Sequence, residues 1–532
     1  MILGEPFIVN GNTISGEGSG YDSLSQLRIE IDQFVAQFLP ETGSTQKIGP
    51  KVVHDGLWGT LRLEPYEVAL LDTPLVQRLR HLRQTGLSFL TYPSTTHSRF
   101  EHTLGVVLQV MKLGDALLRP ALEPKKDDGR LTQDHVRQMR LAALLHDIGH
   151  GPFSHTSEMV YGDAPSLKEF KKKHPKANPH ETMANLILTS EPFRKYFREA
   201  MQKGKEQNHN IEEIANTIVG DVNNENPYVT ELLNGPFDAD KLDYIFRDSH
   251  FSGLPLDVDL DRLWYTVRLG KTKKEGDVDD HLVVLQGGVT ALEQVFFSKM
   301  VLTATVYQHH KVRACDCMFA GIIEYMREHG KTMEIRDKHL AFHSPADFLW
   351  ITDDEFLSYG FRTDDDQLHE LIHNLYFRRL LKRALIISCP TVNVEEEGAL
   401  DNFNRLLNTH EDAHLRREIS REIWEKAGRP GMKEQVFLDM PKRPKFVAAD
   451  ETYIYHAEPS DTATNKPITL NDLIKVDSWA KQYMEHRYRG HVFCPPEHRA
   501  TVAKAAIEVL QERFDIKFKP EAYQWCKVAL PS

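Results

Sequence analysis

Three histidines and an aspartate fall within ten residues, His146-Asp147-Ile148-Gly149-His150-Gly151-Pro152-Phe153-Ser154-His155. Imidazole suits several transition metals and carboxylate suits hard cations, so this mixture can polarise phosphate oxygens or activate water for metal-assisted hydrolysis. The preceding stretch, VRQMRLAALLH at 136–146, places Met139, Leu141, Ala142, Leu144 and Leu145 on a broad apolar face. That pattern predicts a helix ending where the His-Asp pair begins. Gly149 and Gly151 relieve steric constraint beyond the pair, and Pro152 favours a turn or helix start, so His150 and His155 are expected to face the same cavity.

Two further segments carry chemistry. Upstream, His97-Ser98-Arg99-Phe100-Glu101-His102 opens a helical pattern with Leu104, Val106, Val107, Val110 and Leu113. His102 is a candidate nitrogen ligand, and Arg99 can meet phosphate at the open entrance of that helix. Taken alone, His102 would more often be a structural histidine. Downstream, Asp238-Ala239-Asp240-Lys241-Leu242-Asp243-Tyr244-Ile245-Phe246-Arg247-Asp248 puts Asp240, Tyr244 and Asp248 on one face through two four-residue steps, with Lys241 beside them. One of these carboxylates could complete a His/His/Asp/Asp metal set. By itself the segment reads more readily as an ordinary charged surface helix.

The whole chain bounds what these segments can do. With 532 residues it can form two or more domains around a large core. It has no 18-residue apolar run, and no basic segment followed by an apolar signal core opens it, so a cytoplasmic enzyme without membrane attachment is expected. Five scattered cysteines are too few and too uneven for a disulfide framework, and Cys315/Cys317 is weak as a metal site. The net charge of −12 disfavours extensive nonspecific nucleic-acid binding but permits a local basic pocket for a small phosphorylated substrate. Lys171-Lys172-Lys173 reads as a solvated loop.

The expected fold is mostly α, a helical catalytic core with a smaller mixed α/β C-terminal region. Residues 1–50 contain GNTISGEGSGYDS and one short helix at 24–38, an appendage or oligomer contact. Residues 51–390 form the core, with helical segments at 101–118, 136–146, 180–189, 209–219, 284–328 and 369–385. Residues 391–532 form the mixed domain, with strands at 445–448 and 491–493 and a helix at 499–513.

In SRFEHTLGV at 98–106, HDIGH at 146–150, DADKLDYIFRD at 238–248 and LLDTPLVQRLRHLRQTG at 70–86, the chain resembles the HD-domain deoxynucleoside triphosphate triphosphohydrolases. The resemblance runs from about residue 51 to 340 and favours the branch of the human SAM-and-HD-domain enzyme; with about 50 residues before the core, no SAM module is expected. It implies a single divalent metal, among Mn, Fe, Co, Ni, Zn and Mg, on His102, His146, Asp147 and Asp240. It further implies phosphate contacts from Arg99, Lys241 and Tyr244, deoxyribose recognition by Gln84 and Asp248, and an aromatic wall at Tyr307. His150, His155 and His180 would face the phosphates, with His155 the general acid and Glu158 orienting it; Glu181 would orient His180 or be structural. Lys299 and Thr303 stand where the human enzyme has arginine and histidine, and Thr85 where it has leucine, so substrate preference can differ. Asp72, Gln77, Arg78 and Arg80 match a region used by an activating nucleotide.

The implied reaction converts a dNTP to deoxynucleoside and inorganic triphosphate: water attacks the α phosphorus and a histidine protonates the leaving 5′-oxygen. A homo-oligomer is implied as well. An HD phosphodiesterase or nuclease, or a nucleotide-sensing protein without turnover, are the alternatives, with nucleic acid the less favoured partner.

Overall fold

The chain is described from a computed structural model, which places residues 7–9, 12–14, 23–40, 48–118, 131–204, 206, 209–221, 226–274, 277–442, 449–457, 459 and 467–530. The architecture is mostly helical with small sheets, as the apolar periodicity implied. At its centre the helix Arg99–Leu118 buries Phe100, Leu104, Val106, Val107, Val110 and Leu113, and packs between the helices Gln133–Leu145 and Ala239–Ser252.

Each of these two partners has ends set by its own sequence. Thr132 caps Gln133–Leu145, its hydroxyl accepting from the His135 amide at 3.2 Å. The helix stops after Leu145, which delivers His146 and Asp147 to the centre of the bundle at its C-terminal end. Asp238 caps Ala239–Ser252 by accepting from the Lys241 amide at 2.8 Å, and Gly253 ends it in the left-handed conformation at φ 72°.

The bend after His150 is built differently from the expectation. Phe153 and Ser154 take positive φ, 55° and 58°, ahead of the helix His155–Tyr161. Such strain persists only where surrounding bonds over-determine it. Here the Phe153 amide donates to Asp353 Oδ1 at 2.7 Å, and the Ser154 hydroxyl donates to the Arg83 carbonyl at 2.6 Å. Gly149 serves close approach instead of an unusual dihedral: a Cβ there would lie 2.1 Å from the His180 carbonyl oxygen. It lets the helix Pro179–Leu188 press against the His-Asp turn.

Two expected helical segments are corrected. Residues 284–328 are not continuous helix: the strand Asp277–Leu285 precedes the helix Val289–Leu302, a π turn Thr303–Tyr307 follows, and His310–Glu328 begins after a break at Gln308 and His309. The Leu282-Val283-Val284-Leu285 run pairs with strand neighbours on both sides, which overrides helical periodicity. Residues 369–385 divide likewise, into the helix Asp366–Tyr376 and the strand Lys382–Ile387, with Arg378 turning the chain at φ 59°. Residues 286–307 are long and apolar enough to cross a membrane, with mean hydropathy 1.2. Leu292, Val295, Phe296 and Leu302 from this stretch belong to the main core, which accounts for that apolarity.

Strand pairing interleaves two cores along the chain. A four-stranded sheet joins Val267–Lys274, Asp277–Leu285, Tyr453–Tyr455 and Ile468–Thr469, so a late segment returns to the main core. A three-stranded antiparallel sheet joins Phe437–Asp439, Gly490–Cys494 and Lys382–Ile387, and most of its buried apolar side chains lie in the second core with the helix Arg499–Phe514. Packing therefore does not divide cleanly at residue 390. The N-terminal helix Ser23–Phe38 buries Leu27, Ile31, Phe34 and Val35 in the main core, with Phe34 edge-on to Trp350 at 5.2 Å. Most of GNTISGEGSGYDS and all of 445–448 lie outside the described residues.

Gly105 allows the Arg99–Leu118 and Ala239–Ser252 helices to touch, since a Cβ at 105 would stand 1.8 Å from Asp243 Oδ1 and 2.4 Å from an Arg247 nitrogen. Glycine to alanine inside a helix ordinarily stabilises by about 1 kcal/mol. Gly105→Ala is expected to reverse that sign and destabilise by about 1–3 kcal/mol through overpacking. Urea unfolding followed by circular dichroism checks it; a variant more stable than wild type would refute the close-contact argument.

Candidate active site

Four of the sequence-selected residues converge where the three central helices meet. His102 Nε2 lies 3.0 Å from Asp240 Oδ1 and 3.8 Å from Asp147 Oδ2, while His146 Nε2 lies 3.4 Å from Asp147 Oδ1 and 3.9 Å from Asp240 Oδ1. The donor set matches what a divalent transition metal takes, two neutral imidazoles and two carboxylates.

Tautomers confirm the fit. His146 Nδ1 sits 2.7 Å from the Ala143 carbonyl, which can only accept, so Nδ1 carries a proton and Nε2 is the nitrogen left for a metal. That buried Nε2 has no hydrogen-bond partner among the described residues, an orphan that a cation would satisfy. His102 Nδ1 sits 2.7 Å from Asp243 Oδ2, which would leave Nε2 as the nitrogen for a metal; in this structure Nε2 meets Asp240 Oδ1 at 3.0 Å, and although burial opposes it the Asp240 and Asp243 carboxylates raise the imidazole to about 10.

Asp243 was quoted in the sequence motif without a role, and the structure supplies one. Arg247 holds both its oxygens at 2.9 Å, the Trp58 indole donates to Oδ1, and Arg247 in turn reaches Asp55 at 3.0 Å. Asp55 closes the hairpin turn by accepting from the Leu57 and Trp58 amides. The i,i+4 spacing of Asp243 and Arg247 beside Asp240 was the available signal.

Asp147 is held as an anion. Burial would push its carboxyl up, but Arg99 foremost, then His146 and His150, bring it well below the usual carboxylate range. Arg99 is therefore not at an open entrance as expected: it is 2% exposed, donates from NH1 to Asp147 Oδ2 at 2.6 Å and from Nε to Ser154 Oγ at 2.7 Å, and its NH2 has no partner. It lies in the interior because Asp147 does.

Beside this set, three histidines surround one oxygen. Glu158 Oε1 lies 2.9 Å from His180 Nδ1, 3.0 Å from His155 Nδ1 and 3.3 Å from His150 Nδ1. The His150 and His180 rings stack at 4.0 Å. His150 Nε2 faces Asp147 Oδ1 at 3.4 Å, so this cluster adjoins the metal set. Burial, then Arg99 and His180, pushes the His150 imidazole well below its ordinary value. His180 is also buried, but Glu158 outweighs burial and raises it to about 9. Glu181 caps its own helix, accepting from the Asn178 amide at 2.7 Å. The orienting carboxylate of His180 is Glu158.

A third group lies farther along Ala239–Ser252. Asp248 Oδ2 accepts from the Tyr307 hydroxyl at 2.5 Å, and Oδ1 meets His97 Nε2 at 2.8 Å. The π turn brings Tyr307 to Asp248, and the Gln84 backbone amide donates to the His97 carbonyl at 3.0 Å, which places Gln84 alongside. Gln84 Oε1 is buried without a hydrogen-bond partner among the described residues. His97 went unassigned from sequence; only its position two residues ahead of Arg99 hinted at it. Lys241 is paired with Asp238 and donates to the Gly235 carbonyl at 3.0 Å. Burial first, and Lys241 next, lower the Lys299 ammonium to about 8. Burial raises the Tyr244 and Tyr307 phenols well above 10, so both hydroxyls stay protonated.

The remaining candidates divide. Asp72 pairs with Lys51, Gln77 Nε2 donates to the Leu71 carbonyl at 2.9 Å, and Arg80 donates to Gln77 Oε1 at 2.7 Å while covering Phe100 at 3.6 Å. Arg78 departs from this group and from the nucleotide contact expected of it. It is buried, and its NH2 donates to the carbonyls of Ile148 and His150 at 2.8 Å each, clamping the His-Asp turn from behind.

Comparisons with known proteins agree with this arrangement. The HD domain profile matches residues 99–247, and a profile described as HD associated region matches 258–518. An uncharacterized protein of Methanocaldococcus jannaschii is 28% identical over 293 residues, 54% of this chain and 52% of that protein. A deoxynucleoside triphosphate triphosphohydrolase SAMHD1 homolog of Dictyostelium discoideum is 26% identical over 382 residues, 69% of this chain and 67% of that protein. Human deoxynucleoside triphosphate triphosphohydrolase SAMHD1 is 28% identical over 359 residues, 62% of this chain and 54% of that protein. The alignments thus span from about half to two thirds of these relatives' own lengths. With the candidate metal set inside the region matched by the HD domain profile and the associated region following it, the chain carries an HD domain and an HD associated region and is similar to HD-domain phosphohydrolases.

Proposed function

We propose that the protein hydrolyses deoxynucleoside triphosphates to deoxynucleoside and inorganic triphosphate. One observation carries the reading. A single helix, Ala239–Ser252, offers Asp240 to the metal set and, two turns on, Asp248 to Tyr307, so a phosphate site and a closed polar wall share one rigid support. A furanose against the Asp248–Tyr307 pair meets a wall whose hydrogen bonds are already made, which leaves little to compensate an added 2′-hydroxyl. The names of the Dictyostelium and human relatives support the same substrate class.

The residues divide the work. His102, His146, Asp147 and Asp240 would hold the divalent metal, whose Lewis acidity would draw charge from phosphate oxygens. Lys241, Lys299 and Tyr244 would offset and orient the phosphate chain, and Arg99 would act through Asp147. Gln84, Asp248 and Tyr307 would seat the sugar. His155 is the exposed member of its cluster, and with Nδ1 directed at Glu158 its Nε2 is available to protonate the leaving 5′-oxygen. Asp72, Gln77 and Arg80 remain together on the surface as the proposed contact for an activating nucleotide in a homo-oligomer.

Metal-replete protein incubated with the four dNTPs, singly and mixed, should release nucleoside and intact triphosphate, read by chromatography and phosphorus NMR. Nucleoside monophosphate with pyrophosphate would move the attack, and cleavage of oligonucleotides in preference to dNTPs would favour a nuclease. Asp147→Ala should lose the metal held with His102, His146 and Asp240 and all metal-dependent turnover. Asp243→Asn should keep the fold by circular dichroism yet weaken metal affinity about 10–100-fold; unchanged affinity in a metal titration would remove Asp243 from the site. Tyr307→Phe should narrow the preference for dNTP over rNTP by roughly tenfold, about 1.4 kcal/mol, seen as a ratio of kcat/KM values.

A further inference from the structure

The histidine cluster around Glu158 holds more nitrogen than hydrogen bonding can use. A carboxylate oxygen offers about two lone-pair directions. His155 and His180 hydrogen-bond to Oε1 at 3.0 and 2.9 Å, and His150 Nδ1 stands 3.3 Å away, fully buried, with neither ring nitrogen hydrogen-bonded. One ligand atom from each of these four residues falls within 4.8 Å of the others. Around a four-coordinate zinc with ligands at about 2.0–2.1 Å, ligand atoms are separated by roughly 3.4 Å. The distances of 2.9, 3.0 and 3.3 Å from Oε1 approach that spacing. His155 is 69% exposed at its side chain, which opens a route for an ion from solvent.

We propose that His150, His155, Glu158 and His180 form a second divalent-metal site, separate from the His102–His146–Asp147–Asp240 set, and that a borderline-soft cation such as zinc bound there inhibits the enzyme. Binding requires all three imidazoles to be neutral, so it displaces the protons that the cluster holds. It also ties up His155, the proton donor of the proposed reaction. The inhibitory half rests on the function proposed above, whereas the binding half rests on geometry alone. His150 connects the two sets, with Nδ1 toward Glu158 and Nε2 toward Asp147, so the second ion would sit beside the phosphate path without sharing a ligand oxygen with the first.

Metal-stripped full-length protein titrated with Co2+ tests binding by visible absorption, with bound metal counted by mass spectrometry after desalting. Wild type should retain two equivalents per chain. His155→Ala and Glu158→Gln should each retain one, and His102→Ala should keep the equivalent that these two lose. His373→Gln, which breaks the separate His369–His373 pair with rings 3.7 Å apart, should leave the count at two. A wild-type count of one, or a second equivalent that survives both His155→Ala and Glu158→Gln, overturns the site. Zn2+ beyond the first equivalent should then lower dNTP turnover at least tenfold. Two bound equivalents with unaltered turnover overturn the inhibitory half. Absence of dNTP turnover under every metal condition instead counts against the function and leaves the stoichiometry to decide the site.

Discussion

A carboxylate deep inside a helical bundle stays charged only where cations or hydrogen-bond donors replace the water it has lost, and Asp147 is the point at which this protein meets that constraint. Its side chain is 2% exposed, and Arg99, His146 and His150 stand around it. Removing one partner from such a buried pair costs about 3–5 kcal/mol, so the arrangement cannot relax piece by piece. Arg99 begins one helix, Asp147 follows the end of another, and Ser154, which receives the Arg99 Nε–H, lies in a strained turn. The packing of these elements is thereby tied to one charge. Arg78 supports the same turn from the far side through the Ile148 and His150 carbonyls.

Asp243 extends the argument outward. Its contacts run from His102 through Arg247 and Asp55 to the turn between the strands Lys51–Asp55 and Gly59–Leu63, with Trp58 from that turn returning to Asp243 itself. A hairpin outside the helical bundle thus fixes which nitrogen His102 presents. Gly105 is required by the same contact, because no other side chain leaves room for Asp243 and Arg247 against the Arg99–Leu118 helix. Helix packing and ligand orientation are here one requirement, met by a missing methyl group on one side and a clamped carboxylate on the other.

Much of this was legible in the residues, and the failures have physical causes. The convergence of His102, His146, Asp147 and Asp240 could be read because ligand chemistry restricts residue type: four side chains of metal-ligand type in separated motifs have few alternatives. Arg99 was misplaced because an arginine in a helix's first turn normally reaches solvent, and nothing local shows that Asp147 will be opposite it. Arg78 was grouped with its surface neighbours since sequence proximity does not say which face of a short helical turn is buried. The strands Asp277–Leu285 and Lys382–Ile387 were read into helices because a short aliphatic run fits either state until its pairing partner is known, and one partner of Asp277–Leu285, Tyr453–Tyr455, lies far along the chain. The second core was blurred for the same reason: its strand Lys382–Ile387 precedes the composition change at 390, and Tyr453–Tyr455 goes back to the first core.

Two histidine environments that differ in their hydrogen-bond partners lie within a few ångströms of each other. His146 Nδ1 faces a backbone carbonyl, which leaves Nε2 as the nitrogen that a metal would take. His180 faces Glu158, so it keeps its proton to about pH 9 and its charge through neutrality. His150 lies between them, neutral because burial and nearby cations exclude its charge. It insulates the two groups, since a charged ring there would face both Arg99 and His180. Placing a carboxylate beside one imidazole and a carbonyl beside another is a small difference in sequence. In a water-poor interior, where each such contact shifts a proton equilibrium strongly, it is sufficient to hold chemically identical side chains in different hydrogen-bonded states.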